Sequence, residues 1–269
     1  MTSIQYSKIE PRTVFFWLII FLMVNLIIAI SPERFNIQPD EAVYQNITKH
    51  WDEIGMLEAV RGDTKPITFL SIEKFLDNAN ISQTRTLNYI LILACTLLIF
   101  RLTKRYESFL FILIPTVLNS LWLTVEIFEV LFVLIALNLE KYKGLFIGMA
   151  VIFRPYALGY SILIKKKQWI GLSIPIIFLL VVMTLTGLLW TYPDRLNRYG
   201  TDEAQLFNDL DVVALIMWFM MAYLGWQNKE MRYYGLIASI PFVLRTFAHY
   251  FLPSFTWFFV GYLLTKKKD

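Results

Sequence analysis

The sequence predicts an all-α polytopic membrane protein, and three observations predict it. Hydrophobic residues make up 57% of the 269-residue chain against 17% charged, and the mean hydropathy of +0.54 is far above what one soluble core needs. The apolar residues fall in long uninterrupted runs, at about 14–30, 87–100, 108–139, 144–164, 169–191, 210–226, 233–251 and 253–264. These runs lack the alternation of barrel strands, and in lipid only helices or closed barrels satisfy the backbone. With about 20 apolar residues per span, they predict about eight to ten transmembrane or re-entrant helices. The chain reads as one transmembrane domain over 1–269, with no separate soluble domain and no internal repeat.

The elements follow in order. The run at 14–30 comes after Lys8 and Arg12 and before no small-residue cleavage pattern, so it reads as an uncleaved first span. The polar stretch 31–86 is the first extracytoplasmic loop and should carry two interfacial helices. In the first of these, Val43, Tyr44, Ile47, Trp51, Ile54 and Leu57 recur every three or four positions. In the second, Asp63 or Thr64 precedes Pro66 at a helix entry, and Ile67, Leu70, Phe75 and Leu76 form the apolar stripe. The run 108–139 is about twice one membrane thickness, which predicts a tight hairpin turning near Asn119 to Glu126. A single cysteine, Cys95, excludes an internal disulfide and a thiol-based zinc cluster.

Segment 144–164 poses a topological choice. Lys141 and Lys143 precede it, Lys165, Lys166 and Lys167 follow it, and "FRP" sits in its middle. A single crossing would put one basic flank outside, whereas a turn at Arg154 and Pro155 keeps both in the cytoplasm, as the positive-inside rule favours. With that turn, every basic cluster becomes cytoplasmic: Lys8 and Arg12; Arg101, Lys104 and Arg105; the two flanks just named; Lys229 and Arg232; and Lys266 to Lys268. Both termini are then cytoplasmic, in a cell membrane or endoplasmic reticulum membrane. The +4 net charge expresses orientation and gives no reason to invoke nucleic acid.

Ionisable groups within or beside hydrocarbon cost at least about 2.5 kcal/mol on insertion scales, so they tend to be functional or paired. Here they are Glu126, Glu129, Arg154, Arg245 and His249, the last two four residues apart on one helix face. In the expected topology Glu126, Arg154, Arg245 and His249 approach the same outer face as Asp40, Glu41 and Lys65. Cations suit an anionic group such as a lipid phosphate, and a partly desolvated carboxylate suits a general base. Each residue also has a purely structural reading. Asp40 serves equally as a helix N-cap, with Glu41 complementing the helix dipole. Lys65 reads alone as an interfacial lysine snorkelling past Pro66. Glu126 and Glu129 can simply end a hairpin, Arg154 can pair with one of them, and His249 can be a packing residue. The tryptophans mostly fit aromatic belts.

In their order, these motifs resemble the GT-C superfamily of integral-membrane glycosyltransferases, in particular the branch of protein O-mannosyltransferases and the lipid A aminoarabinose transferase. "PDEAVYQ" is similar to the D-E-x-x-Y element after the first span, through Asp40, Glu41 and Tyr44. "TKPITFL" keeps the Lys65 and Pro66 of a K-P-P element but has Ile67 for the second proline. "TVEIFEVLFVLIALNL" offers Glu126 as the second acid, "GLFIGMAVIFRPYAL" puts Arg154 at the basic position, and "RTFAHYFLPSFTWFF" resembles an R-Y-x-L-P element. The chain lacks the large soluble C-terminal domain of many relatives, and it carries Glu where several have Asp at the second acid.

The resemblance implies an inverting transferase that takes a sugar from a polyprenyl-phosphate-linked donor and delivers it to a sugar or protein hydroxyl at the outer or lumenal membrane face. It implies Asp40 as base with Glu41 shaping or replacing it, and Glu126 positioning acceptor or base. Lys65 and Arg245 would bind the donor phosphate, with Arg154 as a third cation and Tyr44 and His249 as accessory groups. No cofactor is predicted: members using monophosphate carriers resemble metal-independent enzymes, while oligosaccharyl relatives use a divalent metal, which stays open here because three scattered acids do not specify a metal site. The alternative readings are a polytopic ion or lipid transporter, or an inactive scaffold subunit of GT-C type. Against transport stand the absence of an inverted repeat and the gathering of charge at one face.

Overall fold

The computed structural model describes residues 39–61, 67–75, 81–112, 125–191, Tyr223 and 251–265. Every regular element among them is helical, with no strand. Two stretches, Thr84–Thr103 and Lys166–Leu185, are long and apolar enough to cross a membrane. The spans expected at 14–30, 210–226 and 233–251 lie outside the described residues apart from Tyr223 and Phe251, as does the hairpin turn before Val125.

The loop after the first expected span is helical where anticipated. Helix α1, Pro39–Ile54, starts on a proline, whose missing N–H costs nothing in the first turn. Asp40 and Glu41 fall in the first turn of α1. Ile47 and Thr48 are buried and Trp51 packs beside the core, but Ile54 is exposed. The reason is Gly55, whose φ of +87° ends α1 and starts the short α2, Met56–Arg61, in a new direction. Helix α3, Ile67–Phe75, buries Leu70 completely and exposes Phe75, because five residues of helix carry Phe75 well off the Leu70 face. Lys74 of α3 forms an ion pair with Asp52 of α1.

Helix α4, Ile81–Thr103, is 23 residues and about 34 Å long at 1.5 Å per residue, enough for a full span. It ends where Lys104 adopts a left-handed φ of 56° and donates its N–H to the Phe100 carbonyl at 2.7 Å. A 3-10 turn, Tyr106–Ile112, then folds against it, with the Phe100 ring tilted against those of Tyr106 and Phe109. Helix α5, Val125–Asn138, ends beside the C-terminal part of α4, where the Asn138 side-chain amide donates to the Leu98 carbonyl at 3.2 Å.

Segment 144–164 doubles back. Helix α6, Lys143–Phe153, has 11 residues, and the 3-10 leg that returns from it, Pro155–Leu163, has nine. At about 1.5 and 2.0 Å rise per residue, both legs are about 16–18 Å long, roughly half of a 30 Å hydrocarbon core. Matched lengths bring the two ends together: Lys143 and Lys165 both bond the Glu140 carboxylate, and the Gln168 side chain donates to the Glu140 carbonyl. Helix α7, Trp169–Leu185, then leaves from that same end.

The helix directions confirm the reversal. Ring pairs Phe128–Phe153 and Phe132–Phe146 rise along α5 and fall along α6, so these two are antiparallel. Between α6 and α7 the close pairs are Gly144 with Gln168, Leu145 with Gly171, and Gly148 with Leu172 and Pro175, rising together, so these two are parallel. Parallel neighbours are what a re-entrant pair produces and a single crossing cannot. Glycine makes the approach possible: a Cβ on Gly144 would lie 2.0 Å from the Gln168 carbonyl oxygen, and one on Gly148 2.5 Å from that of Leu172.

The bundle thus has two distinct ends. At the base lie Lys104 and Arg105, Asn138, Glu140 and the lysines flanking the hairpin. At the other end lies the hairpin tip, and the Thr68 hydroxyl of α3 donates to the Ile152 carbonyl there at 2.7 Å. Single cysteines replacing Tyr142 and Lys165, both exposed, should therefore react with an impermeant thiol reagent from one side of the membrane and a cysteine at Phe75 from the other; opposite labelling of the first two would refute the reversal. Gly148→Ala should destabilise by about 1–3 kcal/mol, read as a lower Tm in detergent, while Ile170→Ala on the exposed face of α7 leaves Tm nearly unchanged.

Candidate active site at the hairpin tip

The antiparallel register of α5 and α6 brings the first turn of one against the last of the other. Arg154 stands where α6 stops, with extended backbone (φ −136°, ψ 109°) before Pro155, since the residue preceding a proline is driven out of helical geometry. Its backbone N–H still closes α6 on the Ala150 carbonyl at 2.9 Å, and its carbonyl accepts from Ala157 at 2.9 Å. The break therefore leaves neither group of Arg154 unsatisfied, which is what permits a chain reversal away from water.

The Arg154 guanidinium forms an ion pair with the Glu126 carboxylate, and both residues are buried, at 6% and 8% exposure. Glu129 lies one helical turn further along α5 and is 1% exposed. The Tyr160 hydroxyl lies beside its carboxylate. Tyr160 accepts a hydrogen bond from the Trp257 indole N–H at 2.6 Å, across 97 residues of sequence. Trp257 belongs to helix α8, Phe251–Thr265, and its ring meets that of Tyr160 edge-on with centroids 5.6 Å apart. The 3-10 leg explains how Tyr160 points inward. At three residues per turn Ala157 and Tyr160 share a buried face while Leu158 and Ile162 lie exposed.

The result is a buried polar cluster running from α6 through α5 to α8: a guanidinium held by Glu126, and a second carboxylate beside a hydrogen-bonded Trp-Tyr pair. Among the described residues, Glu129 Oε2 has no hydrogen-bond partner. That oxygen is the group in the cluster able to accept a proton or hydrogen bond from an incoming molecule. A second feature extends the polar region. Helix α4 buries Ile92, Cys95 and Ile99 along one stripe, and the same stripe continues into Asn88 and Arg85 near the helix start, 2% and 6% exposed. Since the other end of α4 lies at the base, these polar groups belong to the tip end.

Of the residues singled out from sequence, the structure joins Glu126 to Arg154 and brings in Glu129 close by. Asp40, Glu41 and Tyr44 lie on the first turns of α1. Lys65, Arg245 and His249 lie outside the described residues. Arg154, expected as a cation for phosphate, is engaged by Glu126, the pairing that its structural reading anticipated. Sequence reasoning passed over Arg85 because it began the span at position 87. The spacing of three and four residues from Arg85 through Asn88 to Ile92, Cys95 and Ile99 carried the signal. Tyr160 and Trp257 had no such signal, since each is an aromatic residue in an apolar run. Among the described residues no three metal-ligating side chains converge.

Compared with family models, curated proteins and solved structures, the chain matches none of them. Among the described residues, the fold and the site define a helical protein with two stretches fit to cross a membrane and a cluster of ionisable side chains buried at a chain reversal.

Removing one member of a buried pair leaves the other uncompensated, at about 3–5 kcal/mol. Glu126→Gln and Arg154→Met should each lower stability by that order, and the double variant Glu126→Leu with Arg154→Met should recover most of the loss. Unfolding in detergent measures it, and simply additive losses would mean that the two side chains do not act as a pair.

Proposed function

We propose that the protein is an inverting membrane glycosyltransferase that uses a polyprenyl-phosphate-linked sugar at the extracytoplasmic face. The observation that carries this reading is the convergence of Glu126, Glu129 and Arg154 at the hairpin tip, beside α3 of the first polar loop. Among the described residues, Lys104 and Arg105, Lys141 and Lys143, and Lys165 to Lys167 gather at the opposite end, which supports a cytoplasmic base. The lipid-linked donor would enter laterally from the bilayer, and a tip about half a hydrocarbon core from the base, beside α3, suits a reaction centre reached from that side.

In the reaction, the acceptor hydroxyl oxygen attacks the sugar's anomeric carbon from the face opposite the phosphate. The carbon–oxygen bond to the carrier breaks, polyprenyl phosphate leaves with the electron pair, and the hydroxyl proton passes to a carboxylate. Asp40 remains the proposed base, with Glu41 beside it in sequence, and Lys65 and Arg245 the proposed phosphate cations with Tyr44 and His249 as accessories. Arg154 is better suited to fixing Glu126 than to meeting phosphate, because a guanidinium already paired has less charge to offer. Glu129, with one oxygen toward no partner among the described residues, joins Glu126 as a group that would orient the acceptor.

One observation favours a second reading. A carboxylate buried in the bundle beside Tyr160, which Trp257 holds, is also what a proton-coupled transporter uses. The two readings separate cleanly. Purified protein given a radiolabelled polyprenyl-phosphate sugar and hydroxyl acceptors should release carrier phosphate, and Asp40→Asn, still folded, should lose activity by about 100-fold or more. No turnover with any such donor, together with proton uptake in proteoliposomes that Glu129→Gln abolishes, would replace the transferase with the transporter.

A further inference from the structure

At the base of the hairpin, away from the cluster at the tip, a cavity of about 600 Å³ opens between the start of α6 and the start of α7. This is within the about 300–1,000 Å³ range of small-molecule sites. Its polar rim carries three lysines, Lys141, Lys165 and Lys167, against one carboxylate, Glu140. That carboxylate is already engaged by Lys143 and Lys165, whose hydrogen bonds hold it below its ordinary value of 4.5. Lys141 and Lys167 are left facing the cavity, Lys141 also lying 5.3 Å over the Tyr142 ring, and neither meets a carboxylate among the described residues. The floor is apolar and shallow, formed by Gly144, Leu145, Gly171 and Ile174. From Ile174 an exposed apolar stripe continues up α7 through Phe178, Val181 and Leu185.

We propose that this cavity binds an anionic phospholipid, its phosphate between Lys141 and Lys167 and an acyl chain lying along the α7 stripe. Charge complementarity selects an anion, and the stripe selects a lipid over a soluble phosphate. Basic pockets between helices at the membrane surface take anionic headgroups in this way. Trp169, half exposed beside the rim, belongs to the level where aromatic side chains meet headgroups. The site is independent of the transferase reading and stands or falls without it.

The test uses the full chain in zwitterionic phosphatidylcholine nanodiscs, titrated with fluorescent phosphatidylglycerol. Lys141→Gln with Lys167→Gln should weaken binding about tenfold or more, and Lys166→Gln with Lys104→Gln, which removes the same charge from residues that do not line the cavity, should weaken it far less. Equal loss from both pairs would reduce the effect to general surface charge and overturn the site. Full competition by millimolar inorganic phosphate would assign a soluble anion instead. On the wild-type chain, a phosphatidylglycerol with a photoreactive headgroup should cross-link within 140–145 and 165–174; cross-links confined elsewhere would overturn the proposal without any variant having to fold.

Discussion

The contact between Arg154 and Glu126 is the one on which the arrangement turns. A chain that reverses halfway through an apolar bundle exposes a bend where no continuous helix covers the backbone, and such a bend persists only when protein groups satisfy it. Pro155 forces the bend by excluding helical geometry at Arg154, and Glu126 meets the charge that arrives with it. The ion pair closes the tip, Glu140 with its two lysines closes the base, and the glycines of α6 let α7 lie close enough to run parallel. Together the three hold the two half-length legs folded back against α5 and α7.

This arrangement sorts the chain's charge by position. At the base Lys141, Lys165 and Lys167 line a cavity in which, among the described residues, Glu140 is the one carboxylate to oppose them. The tip holds two buried acids and an engaged arginine beside α3. The two ends therefore offer different chemistry. The base offers electrostatic attraction for an anion at a membrane surface. The tip offers a carboxylate in a water-poor setting, beside a tyrosine whose hydroxyl is itself fixed by Trp257. A fixed hydroxyl restricts where the carboxylate points, and positioning of this kind is what acid–base chemistry and proton transfer both require.

Much of the architecture was legible before any coordinates. The basic flanks of 144–164 and the central "FRP" indicated a reversal, because placing either flank outside would oppose the positive-inside rule, and the parallel course of α6 and α7 agrees. The helices of the first polar loop were legible from the recurrence of Ile47, Trp51 and Leu70, though their ends were not. Gly55 was an unremarked residue until its positive φ was seen to cut the first helix short. The tip was legible in part. Glu126, Glu129 and Arg154 were conspicuous because charge is costly in an apolar run, whereas Tyr160 and Trp257 were invisible among many aromatics, and Arg85 was hidden by where the apolar run was taken to start.

By itself the sequence determined that the chain is apolar and where its charges fall along it, and it predicted both the helices of the described residues and a reversal in the segment flanked by lysines. Those properties are local, set by residues a few positions apart. Which charge meets which was decided only in three dimensions. Arg154 meets Glu126 across 28 residues, where the sequence left Glu126 and Glu129 as equal candidates, and Trp257 meets Tyr160 across 97, where hydropathy and spacing named no partner. Their pairing follows from the register of antiparallel α5 and α6 and from the period of three along the returning leg, which together turn scattered polar residues into one buried cluster.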